Sequence, residues 1–111
     1  MASPSDAVLE ITEANVDASV FKSSLPVLLD FTAEWCQPCK AMFPTIVELA
    51  KEYAGKVTFG SVDVAKSPNV AAQFQVRGVP TLLLVKDGNV LGQLGGSNSK
   101  TKITELLKKG L

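Results

Sequence analysis

A nearly unbroken apolar run, Val27–Phe31, constrains the fold of this chain more than any other segment. A strand this apolar suits the middle of a sheet whose two faces are both covered, as in α/β proteins. The next segment, Cys36–Ala54, has apolar residues at helical spacing, and Pro44 is expected to bend this helix. Because 111 residues leave room for one domain, we predict a single domain over 1–111, with a frayed terminus at 1–7.

The carboxy-terminal half carries a hairpin signal. Asp87-Gly88 separates two strand-like segments, Thr81–Lys86 and Asn89–Leu94, and an Asp-Gly pair favours a tight turn. These two strands are therefore predicted to be antiparallel. Earlier strands, predicted at Val8–Ile11 and Val57–Val64, are separated from the apolar run by helices and should run parallel to it.

Helices are predicted between these strands from apolar spacing and from residues that begin or end helices. The first helix is expected to be capped by Asn15, with Val16, Val20 and Phe21 on one face, and the long helix is expected to end at Gly55. A short helix should run from Ser67-Pro68 to about Phe74 and be followed by an irregular connection at Gln75–Pro80. The last helix is expected to begin after Ser99, with Ile103, Leu106 and Leu107 inward. The resulting order, βαβαβαββα, predicts a mixed sheet with helices on both faces.

The charge balance and the lack of histidine exclude several classes of function. Eleven Lys and Arg residues cancel eleven Asp and Glu residues, so the chain lacks the basic excess that nucleic acids or acidic membranes require. Without histidine, Ser-His and Cys-His hydrolytic sites and imidazole metal ligands are excluded. The sequence shows no signal peptide and no apolar run near the roughly 20 residues of a membrane helix. We therefore expect a cytoplasmic protein that binds neither nucleic acid nor membrane.

The two cysteines of the chain, Cys36 and Cys39, lie between the apolar strand and the long helix. Residues three apart on a helix have Cβ atoms about 5–6 Å apart, close enough to form a disulfide after a small adjustment. The free N–H groups and the dipole of the helix start, together with Lys40, favour a thiolate at Cys36. This position predicts a redox-active pair.

Three alternatives for the cysteines are a zinc site, a structural staple and two ordinary core residues. A zinc site needs about four ligands, of which two cysteines without histidine supply half. A staple that closes so short a loop contributes only about 2 kcal/mol of chain entropy. Buried cysteines without chemistry are common enough to keep the third alternative open. We therefore favour redox chemistry and expect no metal.

The sequence around the cysteines resembles the thioredoxin family. The family's Trp-Cys-Gly-Pro-Cys-Lys motif is present with Gln37 in place of its glycine, and the resemblance extends over nearly the whole chain. The matching positions are Asp30-Phe31, Trp35-Cys36-Gln37-Pro38-Cys39-Lys40, Pro44, Arg77-Gly78-Val79-Pro80-Thr81, Gly88 and Gly96. The resemblance implies the thioredoxin fold, with a central mixed five-stranded sheet flanked by four helices.

The resemblance also implies catalytic roles. Cys36 is implied to be the exposed nucleophile that attacks a protein disulfide, and Cys39 the less exposed thiol that resolves the mixed disulfide. Asp30 stands inside the apolar strand, where desolvation should raise its pKa and leave it partly protonated near neutral pH. By resemblance it helps to deprotonate Cys39. The alternative for Asp30 is a strand-end carboxylate that reaches solvent.

Other matching residues are implied to bind substrate or to tune the site. Pro80 would follow a cis peptide bond, which composition alone would not predict. By resemblance, Pro80 lies beside the cysteines and its neighbours pair with an extended substrate segment. A flat docking rim would be formed by Trp35, Pro38, Val79 and Gly96, although all four could be ordinary loop and turn residues. Gln37 and Pro38, between the cysteines, occupy the place where the family tunes its reduction potential.

Two further departures from the family pattern concern the surroundings of Asp30. Thr32 stands where many relatives have a tryptophan, so Trp35 is the only indole. Ser61 stands where many relatives have a lysine near the buried aspartate. Loss of that cation should make Asp30 harder to ionise.

The predicted function is reduction of protein disulfides by dithiol–disulfide exchange. It implies no cofactor besides the Cys36–Cys39 disulfide, disulfide-containing proteins as substrates, and electrons from an external thioredoxin reductase. We expect a monomer that contributes to electron transport and redox homeostasis. The alternatives are a binding subunit with the same fold that holds a partner without turnover, and an oxidase or isomerase that uses the same pair.

Overall fold

A computed structural model describes residues 7–111. The predicted frayed terminus, residues 1–7, lies outside this part of the chain except for Ala7. Within residues 7–111 there are five strands, three α-helices and one short π-helix, which confirms the expected five strands and four helices. The elements are β1 (Val8–Glu10), the π-helix (Asp17–Phe21), β2 (Val27–Thr32), α1 (Gln37–Glu52), β3 (Thr58–Asp63), α2 (Pro68–Gln73), β4 (Thr81–Lys86), β5 (Asn89–Gly95) and α3 (Lys100–Lys108).

The apolar strand β2 lies at the centre of a mixed sheet, as predicted. The strand order is β1-β3-β2-β4-β5. Strands β1 and β2 both run parallel to β3, whereas β4 is antiparallel to β2 and to β5. The β4–β5 turn contains Asp87 and Gly88, both at positive φ, +53° and +80°. Because a turn of this kind requires positive φ at both central residues, the Asp-Gly signal is confirmed.

Alternating side chains of β2 divide the core into two layers. Leu28 packs in a cluster with residues of α1 and α3, including Met42 and Ile103. Leu29 and Phe31 face the other side and pack in a cluster with the π-helix and α2. Since successive side chains of a strand point to opposite faces, Asp30 shares the face of Leu28, which α1 and α3 cover.

The predicted cap of the first helix is wrong. Within the described chain, Val16 is the N-cap of the π-helix, and no side chain caps it by a hydrogen bond. The Asn15 side chain accepts from the Thr12 N–H at 2.7 Å and donates to the Glu10 carbonyl at 2.8 Å. The cause is that a short amide side chain can bind nearby backbone groups instead of a helix start. Here the Asn15 amide binds backbone groups at the end of β1.

Several predicted boundaries lie a few residues from the observed ones. Ile11 follows β1, although its N–H still donates to the Ser61 carbonyl at 2.8 Å. Helix α1 continues through Pro44 and ends before Gly55, whose φ is +82°. Ser99 caps α3 as predicted, because its side chain accepts from the Lys102 N–H at 3.3 Å. Ile103, Leu106 and Leu107 are buried, as expected.

Candidate active site

The cysteine pair lies where β2 turns into α1. The Cys36 N–H donates to the Ala33 carbonyl at 3.1 Å, which closes the turn after the strand. Cys36 is the N-cap of α1, and its Sγ accepts from the Cys39 N–H at 3.2 Å. Pro38 lies in the first turn of α1, where its missing N–H costs no helical hydrogen bond. The local sequence thus places both sulfurs at a helix amino terminus, as predicted.

Cys36 and Cys39 are joined by a disulfide, and their Cα atoms are 5.3 Å apart. The structure is therefore that of the oxidised site. The geometry confirms that the pair can form the bond that redox exchange requires. Among residues 7–111, no group of three or more His, Cys, Asp or Glu side chains could hold a metal ion.

The expected exposure of Cys36 is wrong for this oxidised form. Cys36 is 4% exposed and Cys39 2% exposed, so both are buried, although their order is as predicted. The cause is apolar packing, since the pair forms a small cluster with Ala33 and is covered by Val64 and Val79.

Asp30 is buried in β2, with 1% of its surface exposed. It therefore does not reach solvent, and the alternative of a solvated strand-end carboxylate is wrong. Its Oδ1 atom has no hydrogen-bond partner within the described residues. Desolvation by burial raises the pKa of Asp30 from the usual 3.8 to about 7. The carboxyl group is thus partly ionised near neutral pH, on the sheet face covered by the helix whose first turn carries Cys39.

The residues beside Asp30 on the neighbouring strands are Ser61 of β3 and Leu82 of β4. Side chains of directly paired residues share a face of the sheet. Ser61 is therefore the strand neighbour of the carboxyl group, and it stands at the position where the family resemblance predicts a lysine. A hydroxyl group supplies no positive charge to favour the ionised form.

The residues of the predicted docking rim are neighbours of the disulfide in sequence, pack against it, or bond the loop that does. Trp35, which precedes Cys36, is 71% exposed, and Gln37 and Pro38 are exposed as well. Val79 packs against the cysteines, and the Val79–Pro80 peptide bond is cis, as the resemblance implied. The Gly96 N–H donates to the Pro80 carbonyl at 2.9 Å. Gly96 itself is exposed and has a φ of +78°.

Proteins of known family have sequences similar to this chain. The family model described as Thioredoxin matches residues 7–109. The chain belongs to the thioredoxin family. A thioredoxin of Acidithiobacillus ferridurans is 41% identical over 96% of this chain and 99% of that protein. A thioredoxin of Haemophilus influenzae is 42% identical over 92% of this chain and 95% of that protein. A chloroplastic M-type thioredoxin of Zea mays is 41% identical over 94% of this chain and 62% of that protein.

Membership of the thioredoxin family, together with a cysteine pair at bonding distance, establishes the type of reaction. The chain is a thiol–disulfide oxidoreductase that reduces protein disulfides. In residues 7–111 there is no helix whose length and apolar character would let it cross a membrane.

Sequence reasoning missed three residues around this thioredoxin-type site. Val64 covers the disulfide and donates its N–H to the Thr32 carbonyl at 2.9 Å. Lys66 forms an ion pair with Glu34 at 3.4 Å, which links the loop before Cys36 to the loop after β3. Asn98 hydrogen-bonds the backbone at Gly96. The adjacent ends of parallel β2 and β3 could have indicated Val64, but no local signal pointed to the other two.

Proposed function

We propose that Cys36 is the nucleophile, Cys39 the resolving thiol and Asp30 the proton acceptor of this protein-disulfide reductase. The observation that carries the proposal is the disulfide between Cys36 and Cys39 at the amino terminus of α1. A helix amino terminus favours a thiolate at its first position, because free N–H groups and the helix dipole stabilise negative charge there. The Cys39 N–H already points at the Cys36 sulfur, with an N to Sγ distance of 3.2 Å.

The reaction starts from the reduced pair. The Cys36 thiolate attacks one sulfur of a substrate disulfide, so the substrate S–S bond breaks and a Cys36–substrate disulfide forms. The other substrate sulfur leaves as a thiolate and takes a proton. Cys39, once deprotonated, attacks the Cys36 sulfur, and the second substrate sulfur leaves. The substrate has gained two electrons and two protons, and the protein is left with the Cys36–Cys39 disulfide.

Asp30 supplies the proton acceptor for the second step. Its pKa of about 7 means that a substantial share of the carboxyl groups is ionised near neutral pH and can take the Cys39 proton. Since the chain has no histidine, this buried carboxylate on the face under α1 is well suited to the task. Transfer through a water molecule would serve equally, because a bridging water relays a proton between groups that do not touch.

Docking of the substrate is assigned to the rim formed by Trp35, Pro38, Val79 and Gly96, with Pro80 beside it. The exposed indole of Trp35 and the exposed ring of Pro38 offer apolar contact next to the cysteines in sequence. Val79 packs against the cysteines, and the Gly96 N–H donates to the Pro80 carbonyl. An extended substrate segment could pair with backbone groups next to Pro80, whose ring leaves no N–H to compete.

The remaining parts of the proposal concern the setting of the reaction. The chain carries two electrons as the reduced Cys36–Cys39 dithiol, needs no further cofactor, and has its disulfide reduced again by an external thioredoxin reductase. It acts as a monomer in electron transport and in cell redox homeostasis. Cytoplasmic operation suits this role, because that compartment keeps protein thiols reduced. Gln37 and Pro38 set the reduction potential.

Reduction of insulin by dithiothreitol tests the assignment of the cysteines. Wild-type protein is expected to accelerate insulin reduction, and Cys36→Ser to abolish the acceleration. Cys39→Ser should accumulate a Cys36–substrate disulfide that mass spectrometry detects. Equal rates for wild type and Cys36→Ser would support a binding subunit without turnover. A measured potential well above that of the cytosolic thiol pool would instead support an oxidase or isomerase.

A further inference from the structure

The turn after β5 is held by the side chain of Asn98. Its Nδ2 group donates to the Gly96 carbonyl at 2.9 Å and to the Gly95 carbonyl at 3.3 Å. Asn98 is half-buried, whereas its neighbours Ser97 and Ser99 are exposed. A single amide thus closes a turn whose backbone contains two consecutive glycines, the residue type that loses most conformational freedom on ordering.

The same turn is connected to the redox site. Gly96, which Asn98 holds through its carbonyl, donates its N–H to the Pro80 carbonyl at 2.9 Å. Pro80 follows Val79, which packs on the Cys36–Cys39 disulfide. The contacts therefore run without a gap from Asn98 through Gly96 to the loop beside the cysteines.

Two observations argue against a role for Asn98 in folding alone. The cap of α3 is supplied by Ser99, so the helix does not depend on Asn98 for its start. At the opposite end of β5, Asn89 makes a bond of the same kind, donating Nδ2 to the Asp87 carbonyl at 3.3 Å. Asn89 is the first residue of β5 and Asn98 follows the end of that strand, but of these two amides only Asn98 is connected to the docking rim.

We propose that Asn98 is a positioning residue for substrate docking, which holds Gly96 and thereby the Pro80 side of the rim in the shape that a protein substrate meets. The inference rests on the proposed function, because it assumes that the rim binds substrate. Preorganisation of this kind improves binding by lowering the ordering cost when the complex forms. It should leave the sulfur chemistry unchanged, because the hydrogen bonds of the Asn98 amide go to the Gly95 and Gly96 carbonyls.

The experiment measures single-turnover reduction of insulin by pre-reduced wild type, Asn98→Ala and the matched control Asn89→Ala over a range of insulin concentrations. Here KM is the insulin concentration at half-maximal rate, and kcat is the maximal rate constant. The loss of one amide that makes two hydrogen bonds is expected to raise KM for insulin roughly threefold with kcat unchanged. The rate constant with cystamine, a disulfide too small to span the rim, is expected to stay at the wild-type value. Asn89→Ala should leave all three quantities unchanged.

Two further variants address the amide itself. Asn98→Gln keeps a donating amide and should recover part of the insulin KM. Asn98→Asp keeps the shape but turns acceptor oxygens toward two carbonyl oxygens, so its KM should exceed that of Asn98→Ala.

The proposal is overturned if insulin KM is unchanged in Asn98→Ala, if the cystamine rate falls in parallel, or if Asn89→Ala raises KM equally. Failure of the proposed function has a different signature, since wild type itself would then reduce insulin no faster than Cys36→Ser.

Discussion

Asp30 of β2 is paired directly with Ser61 of β3 in the sheet. The buried carboxyl group therefore has a small neutral side chain at its nearest position on that strand. Burial raises the pKa of Asp30 to about 7, and Ser61 supplies no positive charge to oppose this shift. The surroundings of Asp30 thus include a strand neighbour that is distant in the sequence.

The buried carboxyl group should make stability depend on pH. Since the pKa of Asp30 is about 7 in the folded protein and 3.8 in its usual range, the unfolded chain loses the proton first as pH rises. The contribution of Asp30 to the free energy of unfolding is therefore fully present below about pH 4. It decreases as pH rises toward 7 and then levels off, and the total decrease is up to about 4 kcal/mol. Asp30→Asn should remove most of this slope and raise stability at neutral pH.

Urea unfolding at several pH values measures this effect. The control is Asp17→Asn, which removes the charge of an exposed carboxylate that pairs with Lys22. A slope that is the same in wild type and Asp30→Asn would contradict the prediction.

Asp30→Asn is also expected to slow the resolution of the mixed disulfide. The variant has no carboxylate to take the Cys39 proton, so attack on Cys36 becomes slower by roughly a hundredfold near neutral pH, the lower end of the range for general acid–base catalysis. The first attack on substrate should change little. Stopped-flow fluorescence of Trp35, the only indole of the chain, reports the site directly. Unchanged resolution kinetics would remove Asp30 from the mechanism.

A lysine at position 61 should make Asp30 easier to ionise. In Ser61→Lys a cation would lie beside the carboxyl group, which favours the charged form and lowers the pKa of Asp30. The pH midpoint of mixed-disulfide resolution is expected to shift downward by about one unit. The control is Thr58→Lys, which adds the same charge to β3 beside Val27. An equal shift in both variants would show that net charge, and not the neighbour of Asp30, is responsible.

Gln37 is expected to influence the reduction potential. It is the first residue of α1 and is exposed between the two cysteines, so its side chain alters access and hydrogen bonding at the sulfurs. Equilibration of wild type and Gln37→Gly with glutathione buffers should give different potentials, with Lys51→Gln, an exposed position in the last turn of α1, as the control. Identical potentials for wild type and Gln37→Gly would contradict the assignment.

Much of the fold was predictable because local patterns specify it. The apolar run of β2 required two covered faces, the Asp87-Gly88 pair favoured the observed turn, and Cys36 stood at the start of a periodic helix. Asn15 was predicted wrongly, because a short amide can cap a helix or bind other backbone groups, and sequence does not distinguish these outcomes. The burial of Cys36 was also missed, since Val64 and Val79 cover it from distant segments.

The redox pair was predictable from the chain alone, since a Cys36–Cys39 spacing at a helix start brings two sulfurs within bonding reach. The surroundings of that pair depend on the tertiary structure. Strand register put Ser61 beside Asp30, alternation turned the carboxyl group toward α1, and a turn held by Asn98 joined Gly96 to Pro80. Local backbone preferences depend on neighbours in sequence, whereas charge, burial and docking shape depend on neighbours in space.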